Sequence, residues 1–230
     1  MNDRIGAVAQ DGTQQLTVEF FFDLICPWCL IGKRQLEAAL GLVARERPQI
    51  GVSVRWKSLP LLPHLPAEGL PYHEFYLQRL GSAMAVAARR RQVRNAGKAA
   101  RVVFDFERIA TMPNTIAAHR LVEHAGRVKG AAFQGHFIER LFDGYFNRGE
   151  DIGDTRVLAA IAEVSGLERT GALAAVAPGE RETSVRNWHA DAARHDISGV
   201  PGFVLQDRIV LSGALPPALI ARTILDAVPV

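Results

Sequence analysis

The chain has 230 residues, 48% of them apolar, and a net charge of +3. That length suits one large domain or a core domain carrying an insertion. No run approaches the roughly 18 apolar residues of a membrane span, and so mild a basic excess without a recognisable module argues against a nucleic-acid binder.

Met1 to Gln15 shows no periodicity and is expected to form a loose lead-in. Its apolar stretch is too short for a secretory signal, and Asp3 and Asp11 oppose one, which places the protein in the cytoplasm. Leu16 to Phe22 reads as a strand buried on both faces. A short loop follows, and then Cys26-Pro27-Trp28-Cys29 opens a helix that runs to Arg47, before Pro48. The spacing predicts Cys26 at the N-cap, Pro27 at N1 and Cys29 at N3, and proline suits N1 because its missing N–H would have no partner there. The main-chain N–H groups of Trp28 and Cys29 are expected to point at the Cys26 sulfur and, with the helix dipole, to favour its thiolate. Cys26 is then an exposed nucleophile and Cys29 a buried resolving thiol within disulfide reach. Both cysteines of the chain lie in this motif, so no structural disulfide is available. A zinc site usually needs a second ligand pair, and none stands out, so no metal is expected.

Ile50, Val52, Val54 and Trp56 alternate with polar or small residues, as in a second strand with one drier face. A helix between two strands implies a parallel pair with a right-handed crossover. Prolines 60, 63, 66 and 71 mark an exit loop from Leu59 to Pro71. Helical periodicity then extends to about Asp196. One helix is expected from Tyr72 to about Ala100, followed by a short extended piece from Val102 to Phe106. Asn114 is placed as the N-cap of a helix ending at Gly126, with a further helix around Phe133 to Leu141. Asp154 caps another that stops at Gly166. Leu167 to Val176 is a short segment, and Glu180 to Asp196 the last helix of the series. Arg89, Arg90, Arg91, Arg94, Lys98 and Arg101 read as a solvated helix face. Gly202 to Leu205 and Arg208 to Leu211 form a hairpin around Gln206-Asp207, and Pro217 opens a final helix. This order is that of an α/β thioredoxin-like fold with an inserted all-helical domain: residues 14–62 and 197–230 form the discontinuous core, and 63–196 the insert.

FFDLICPWCLIGKRQLEAAL resembles the start of the DsbA-like thiol–disulfide oxidoreductases, in particular the FrnE-type branch with CPWC. Ile197 to Val204 is similar to that family's V-P segment. Met112-Pro113-Asn114-Thr115 through Ala118-His119-Arg120-Leu121 is similar to its P-N-(S/T)-x-x-A-H-R-L helix start, and Leu211-Ser212-Gly213-Ala214 to its I-S-G-A. The matches run in family order from about Thr17 to the C-terminus. The resemblance implies a thiol–disulfide oxidoreductase with Cys26 and Cys29 as catalytic residues and Pro27, Trp28, Val200 and Pro201 contacting substrate. It implies that Pro201 is cis and faces the cysteines, leaving backbone groups free for an extended substrate. Trp28 stands where the family's periplasmic oxidants often have histidine, so only a moderate lowering of the Cys26 pKa is expected.

Many thioredoxin-like proteins bury a carboxylate six residues before the first cysteine. Here that position is Phe20, flanked by Glu19 and Asp23, which leaves proton transfer to Asp23 or to water. His119 reads as a structural histidine, and His189 and His195 as solvated or capping residues. No cofactor is expected. The expected partners are disulfide- or thiol-containing proteins or small thiols such as glutathione, not nucleic acid or membrane, with a homo-oligomer left open. In a reducing cytosol, reductase or isomerase behaviour is the natural expectation. Two other readings keep the fold. One is a glutathione-dependent isomerase or transferase of the 2-hydroxychromene-2-carboxylate isomerase or kappa-class type, against which the intact C-x-x-C speaks. The other is a non-catalytic peptide-binding protein using the groove beside Pro201.

Overall fold

The structure is a computed structural model that describes residues 14–177, 179 and 181–228. The expected loose lead-in therefore lies outside the described residues, apart from Gln14 and Gln15, which already belong to the first strand. Strand β1 (Gln14–Phe22) sits at the centre of a four-stranded sheet with β2 (Ile50–Ser58), β5 (Gly202–Leu205) and β6 (Ile209–Ser212), in the order β2-β1-β5-β6. β1 and β2 are parallel, while β5 runs antiparallel to both β1 and β6. Helix α1 (Pro27–Glu46) makes the crossover between the parallel strands, and α8 (Pro217–Asp226) packs beside it.

Side chains alternate along β1 as a pleated strand requires. Leu16, Val18, Phe20 and Phe22 enter the main core with α1, whereas Phe21 packs with Leu59, Ala192, Ile197 and Val204 on the other face. Both faces are covered, so the run needs no polar alternation at its centre. The β5–β6 turn places Gln206 and Asp207 in the left-handed region at φ of 51° and 56° and closes with the Arg208 N–H donating to the Leu205 carbonyl at 3.0 Å, so that three residues separate the paired Leu205 and Ile209.

Between β2 and β5 the chain is mostly helical, as expected, but it is not all helical. The two-residue strands β3 (Leu70–Pro71) and β4 (Thr111–Met112) pair antiparallel and close the loop region on itself. The single helix expected from Tyr72 to Ala100 is two: α2 (Tyr72–Leu80) and α3 (Ala83–Ala99). Gly81 takes the left-handed conformation at φ 82°, and the Ser82 hydroxyl caps α3 by accepting from the Ala85 N–H. Val102 to Phe106 is not a strand. Phe104 and Phe106 stack 5.2 Å apart and set their edges towards Phe146, so this piece is anchored by aromatic packing and not by a ladder.

The two helices expected around Leu121 and Phe137 are both present within α4 (Ile116–Arg148), and they meet at a non-helical break at Gly130 instead of at Gly126. Gly130 has φ 85° and ψ 171°, a conformation open almost only to glycine. Its N-cap residue is Thr115, and the expected capping acceptor, Asn114, bonds from one position earlier by accepting the Ile116 N–H at 3.1 Å. Helices α5 (Thr155–Val164), α6 (Arg169–Val176) and α7 (Arg181–Arg194) complete the insert. Asp154 caps α5, and Gly166 beyond its end has φ 89°, both as the turn residues predict. No helix among the described residues is long and apolar enough to cross a membrane.

Candidate active site

The structure starts α1 at Pro27 with Cys26 as its N-cap residue, at φ −90° and ψ 109°. The loop before it is tied by the Cys26 N–H donating to the Asp23 carbonyl at 3.1 Å. Two expectations about the sulfurs are corrected here. Cys26 is not exposed: 6% of its surface is accessible, against 0% for Cys29. Nor does its sulfur cap the helix. The Cys29 N–H donates to the Cys26 carbonyl at 3.0 Å, and the Cys26 thiol turns away to the Val200 carbonyl, 3.9 Å distant. The turn thus satisfies its own first donor, and the sulfur meets the chain that faces it.

That facing chain is the Val200-Pro201 segment, whose peptide bond is cis. Pro201 lies against α1 at Gly32, where an added Cβ would come within 3.0 Å of the proline ring. The Pro201 carbonyl accepts the Gly213 N–H at 2.8 Å, which binds the two late motifs to each other. Cys26, Pro27 and Trp28 line one side of a groove of about 400 Å³. The insert supplies the opposite wall, with Phe75, Tyr76, Leu80 and two arginines, Arg79 and Arg89. Burial raises the Tyr76 phenol above its usual range, and the neighbouring Cys26 charge adds to the effect.

Cys29 is pushed well above the ordinary thiol range, first by burial and then by its hydrogen bond to the Cys26 side chain and by the charge there. The main chain of Asp23 acts in the opposite direction by hydrogen bonding to Cys29. Asp23 itself is fully buried. Its carboxylate accepts from the Leu61 N–H at 2.7 Å and the Thr115 hydroxyl at 2.9 Å, and His119 Nε2 lies 3.1 Å away. His119 is buried too, packed between Phe22 and Trp188, with ring centroids 5.2 and 5.7 Å away.

The other histidines and the basic run take different places. His189 lines a separate, larger cavity of about 650 Å³ between α7 and the Pro63–Ala67 loop, away from the thiols. His195 lies across the sheet, with Nε2 3.5 Å from Glu19 and Nδ1 3.1 Å from the Asp191 carbonyl. Glu19, His195 and Asp207 come together as a group of metal-capable side chains, but Lys57 Nζ already meets Glu19 at 3.1 Å. Arg90 and Arg94 do not belong to a solvated face. They turn inward over Tyr72 and Phe106 and pair with Glu107.

Sequence reasoning missed the insert's wall of the groove, the Gly32–Pro201 contact and the joining of Asp23 to His119. The signal for the last was present in the P-N-T-x-x-A-H-R-L segment, but nothing local says that it ends on Asp23.

The sequence profile of the DSBA-like thioredoxin domain matches residues 17–225. The Bacillus subtilis (strain 168) protein YwbO is 22% identical over 203 residues, covering 86% of this chain and 90% of that protein. Among solved structures, a probable DsbA oxidoreductase from Streptomyces coelicolor superposes with a TM-score of 0.80 at 23% identity, covering 94% of this chain and 92% of the other. The cytosolic disulfide reductase DsbM from Pseudomonas aeruginosa, solved with GSH, gives a TM-score of 0.60 at 18% identity, covering 91% and 99%.

Proposed function

The chain belongs to the DSBA-like thioredoxin-domain family, and on that premise we propose that it is a cytoplasmic thiol–disulfide oxidoreductase of the FrnE-type, CPWC branch. Cys26 attacks the substrate disulfide and Cys29 resolves the mixed disulfide. The observation that carries this reading is the unequal pair of neighbouring thiols at the start of α1. Cys29 is sealed and held protonated, whereas Cys26 sits on the wall of the groove against Val200-Pro201. A thiol on the groove wall and a protected resolver behind it are what a two-step exchange requires.

Residues 14–62 and 197–230 carry both sulfurs and the cis-proline loop, and the inserted 63–196 forms the groove's second wall and sends His119 to Asp23. Pro27, Trp28, Val200 and Pro201 contact the substrate. The groove is apolar with Arg79 and Arg89 at its side, which suits a small anionic thiol such as glutathione or an extended peptide bearing a carboxylate. DsbM, similar in fold and solved with GSH, supports the first. A glutathione-dependent isomerase needs no resolving thiol, so the buried Cys29 favours the redox reaction over that alternative.

Glutathione-driven reduction of insulin tests the proposal. Cys26→Ser is expected to abolish it, and Cys29→Ser to accumulate a mixed disulfide at Cys26 that mass spectrometry detects. Full activity in Cys26→Ser, or faster alkylation of Cys29 than of Cys26 near neutral pH, would reverse or remove the assignment.

A further inference from the structure

On the Phe21 face of the sheet, one buried carboxylate oxygen has no partner. Glu19 is 3% exposed. Lys57 Nζ at 3.1 Å and Arg55 at 3.8 Å both meet its Oε1. Its Oε2 is buried and accepts no hydrogen bond. A buried acceptor left this way calls for a group that the protein itself does not supply.

The atom that faces Oε2 is His195 Nε2, 3.5 Å away. Nδ1 of the same ring lies 3.1 Å from the Asp191 carbonyl. A carbonyl only accepts, so Nδ1 carries the hydrogen, and Nε2 of the neutral ring presents a lone pair. Two lone-pair donors then face each other with no hydrogen between them. An imidazole anchored through one N–H on a main-chain carbonyl, with its other nitrogen bare, is oriented as metal-ligating histidines are. The third donor is Asp207 Oδ1, 3.8 Å from Nε2, and the three ligand atoms lie within 4.8 Å of one another. Gln206 pins the turn that carries Asp207 to β1. The Thr17 N–H donates to Gln206 Oε1 at 2.7 Å, and the Gln206 N–H donates to the Thr17 carbonyl at 3.1 Å. The Asp207 side chain itself is 76% exposed, free to close the set from the solvent side.

We propose that Glu19 Oε2, His195 Nε2 and Asp207 Oδ1 bind a divalent transition-metal ion of the zinc class. One imidazole nitrogen with two carboxylate oxygens suits zinc, and a water completes four-coordination. Bonds of roughly 2.0–2.2 Å let two donors stand up to about 4.2 Å apart, which accommodates the pairs that His195 makes. The two carboxylates match the charge of the ion. Lys57 stays on Oε1, and its charge is held by Asp191 at 2.8 Å. Arg55 is 64% exposed, so solvent and salt screen it. The ion ties β1, the end of α7 and the β5–β6 turn together. His195 and Asp207 stand six residues before and six residues after Pro201, so the same ion clamps both ends of the segment that carries the cis-proline. The absence of a second closely spaced ligand pair in the sequence has no bearing on this set, whose members are joined only by the fold.

Zinc titration of the metal-stripped full chain by calorimetry near neutral pH tests the site. Cys26→Ser, Cys29→Ser serves as the parent protein, because a C-x-x-C pair competes for zinc. The parent should bind one equivalent, and zinc should raise its melting temperature. Asp207→Asn alters only an exposed turn residue, and asparagine tolerates the left-handed backbone there. It should weaken zinc binding at least roughly 10-fold, the scale on which loss of even an outer-shell partner is felt, and should abolish the thermal shift. His195→Gln should do the same, whereas His189→Gln, in the separate cavity, should bind zinc as the parent does. A parent that binds no zinc overturns the proposal, and a proton on His195 Nε2 then fills the gap. Zinc binding and a thermal shift unchanged in Asp207→Asn also overturn it, since the ion would then sit adventitiously elsewhere. If His195→Gln does not fold, Asp207→Asn decides alone.

Discussion

Glu19 and Asp23 are two buried acids four residues apart on one stretch of chain, 3% and 0% exposed, and they are handled in opposite ways. Glu19 leaves β1 on the face of Phe21 and meets formal cations: Lys57 at 3.1 Å and Arg55 at 3.8 Å. Lys57 in turn binds Asp191 of α7 at 2.8 Å. Asp23 lies beyond the strand on the thiol side and meets a main-chain N–H, a hydroxyl and an imidazole. Glu19, Lys57 and Asp191 form one charge-linked strut from β1 through β2 to α7, with the lysine shared between the two carboxylates. Asp23 instead ties the CPWC loop to the insert through the Leu61 N–H, the Thr115 hydroxyl and His119. The comparison therefore divides the molecule into a face that braces the sheet and a face that serves the sulfurs.

The sharpest way to break that division is Lys57→Met. It leaves Glu19 buried beside His195 Nε2 at 3.5 Å and Arg55 at 3.8 Å, with its closest cation gone, and breaking such a pair costs about 2–4 kcal/mol after allowance for the partly exposed lysine. Chemical denaturation should show the loss. With one equivalent of 5,5′-dithiobis(2-nitrobenzoate), attack by Cys26 releases a first coloured thiolate and resolution by Cys29 a second, and this second thiolate release of the folded variant should stay at the wild-type rate. A variant of unchanged stability but slowed resolution would erase the distinction between the faces.

Asn114→Ala strikes the other face at a distance. The Asn114 amide donates to the Leu65 carbonyl at 2.6 Å and the Pro63 carbonyl at 3.3 Å, and its oxygen caps α4. It thereby joins the loop that carries Leu61 to the helix that carries Thr115 and His119. The expected loss is about 1–2 kcal/mol of stability, together with slower resolution, since both sets of donors to Asp23 loosen. Stability loss with normal resolution would mean that the donors are held independently.

Gly32→Ala is smaller in stability and local in effect. The new methyl would crowd Pro201 at 3.0 Å, a clash that costs about 1 kcal/mol when the neighbour can give way. Displacing Pro201 moves the Val200 carbonyl from the Cys26 thiol, so the first thiolate release should change and the second should not. Equal effects on both phases would count against Pro201 as part of the Cys26 wall.

What was legible in the chain was local. The apolar run of β1, proline at N1, the hairpin turn at Gln206-Asp207 and the Asp154 and Gly166 ends of α5 each depend on neighbours within a few residues. What was hidden depends on partners far along the chain. Asp23 and His119 are 96 residues apart, and no periodicity says that α4 begins under the CPWC loop. The same holds for Cys26. Its N-cap position was readable, but its burial comes from Val200 and from the insert, neither of which its own helix specifies. The run from Tyr72 to Ala100 misled for another reason: alanines and arginines continue the helical pattern across Gly81-Ser82, where only the left-handed glycine and the serine cap mark the break.

The smallest expected effect tests the strut by pH. Burial pushes the Asp191 carboxyl up, but the hydrogen bond and charge of Lys57, with Arg194 behind, outweigh it and hold the group below its ordinary range. Burial likewise opposes the Lys57 charge, and the hydrogen bonds to Asp191 and Glu19 reverse that and raise it. A carboxyl lowered in the folded state binds fewer protons than in the unfolded chain, so its contribution is present above the unfolded value of about 3.9 and is lost as pH falls through the folded value. For Lys57 the sign is opposite, and its contribution is lost only as pH rises beyond about 10.4. Asp191→Asn should therefore cost about 0.5–1 kcal/mol at pH 7 for this part-exposed pair. The difference from wild type should shrink as pH drops below about 4. Urea denaturation of both proteins from pH 7 to pH 3 measures it. A difference that stays constant over that range would show that Asp191 acts through packing and not through its charge, and the contrast with Asp23 would then rest on Glu19 and Lys57 alone.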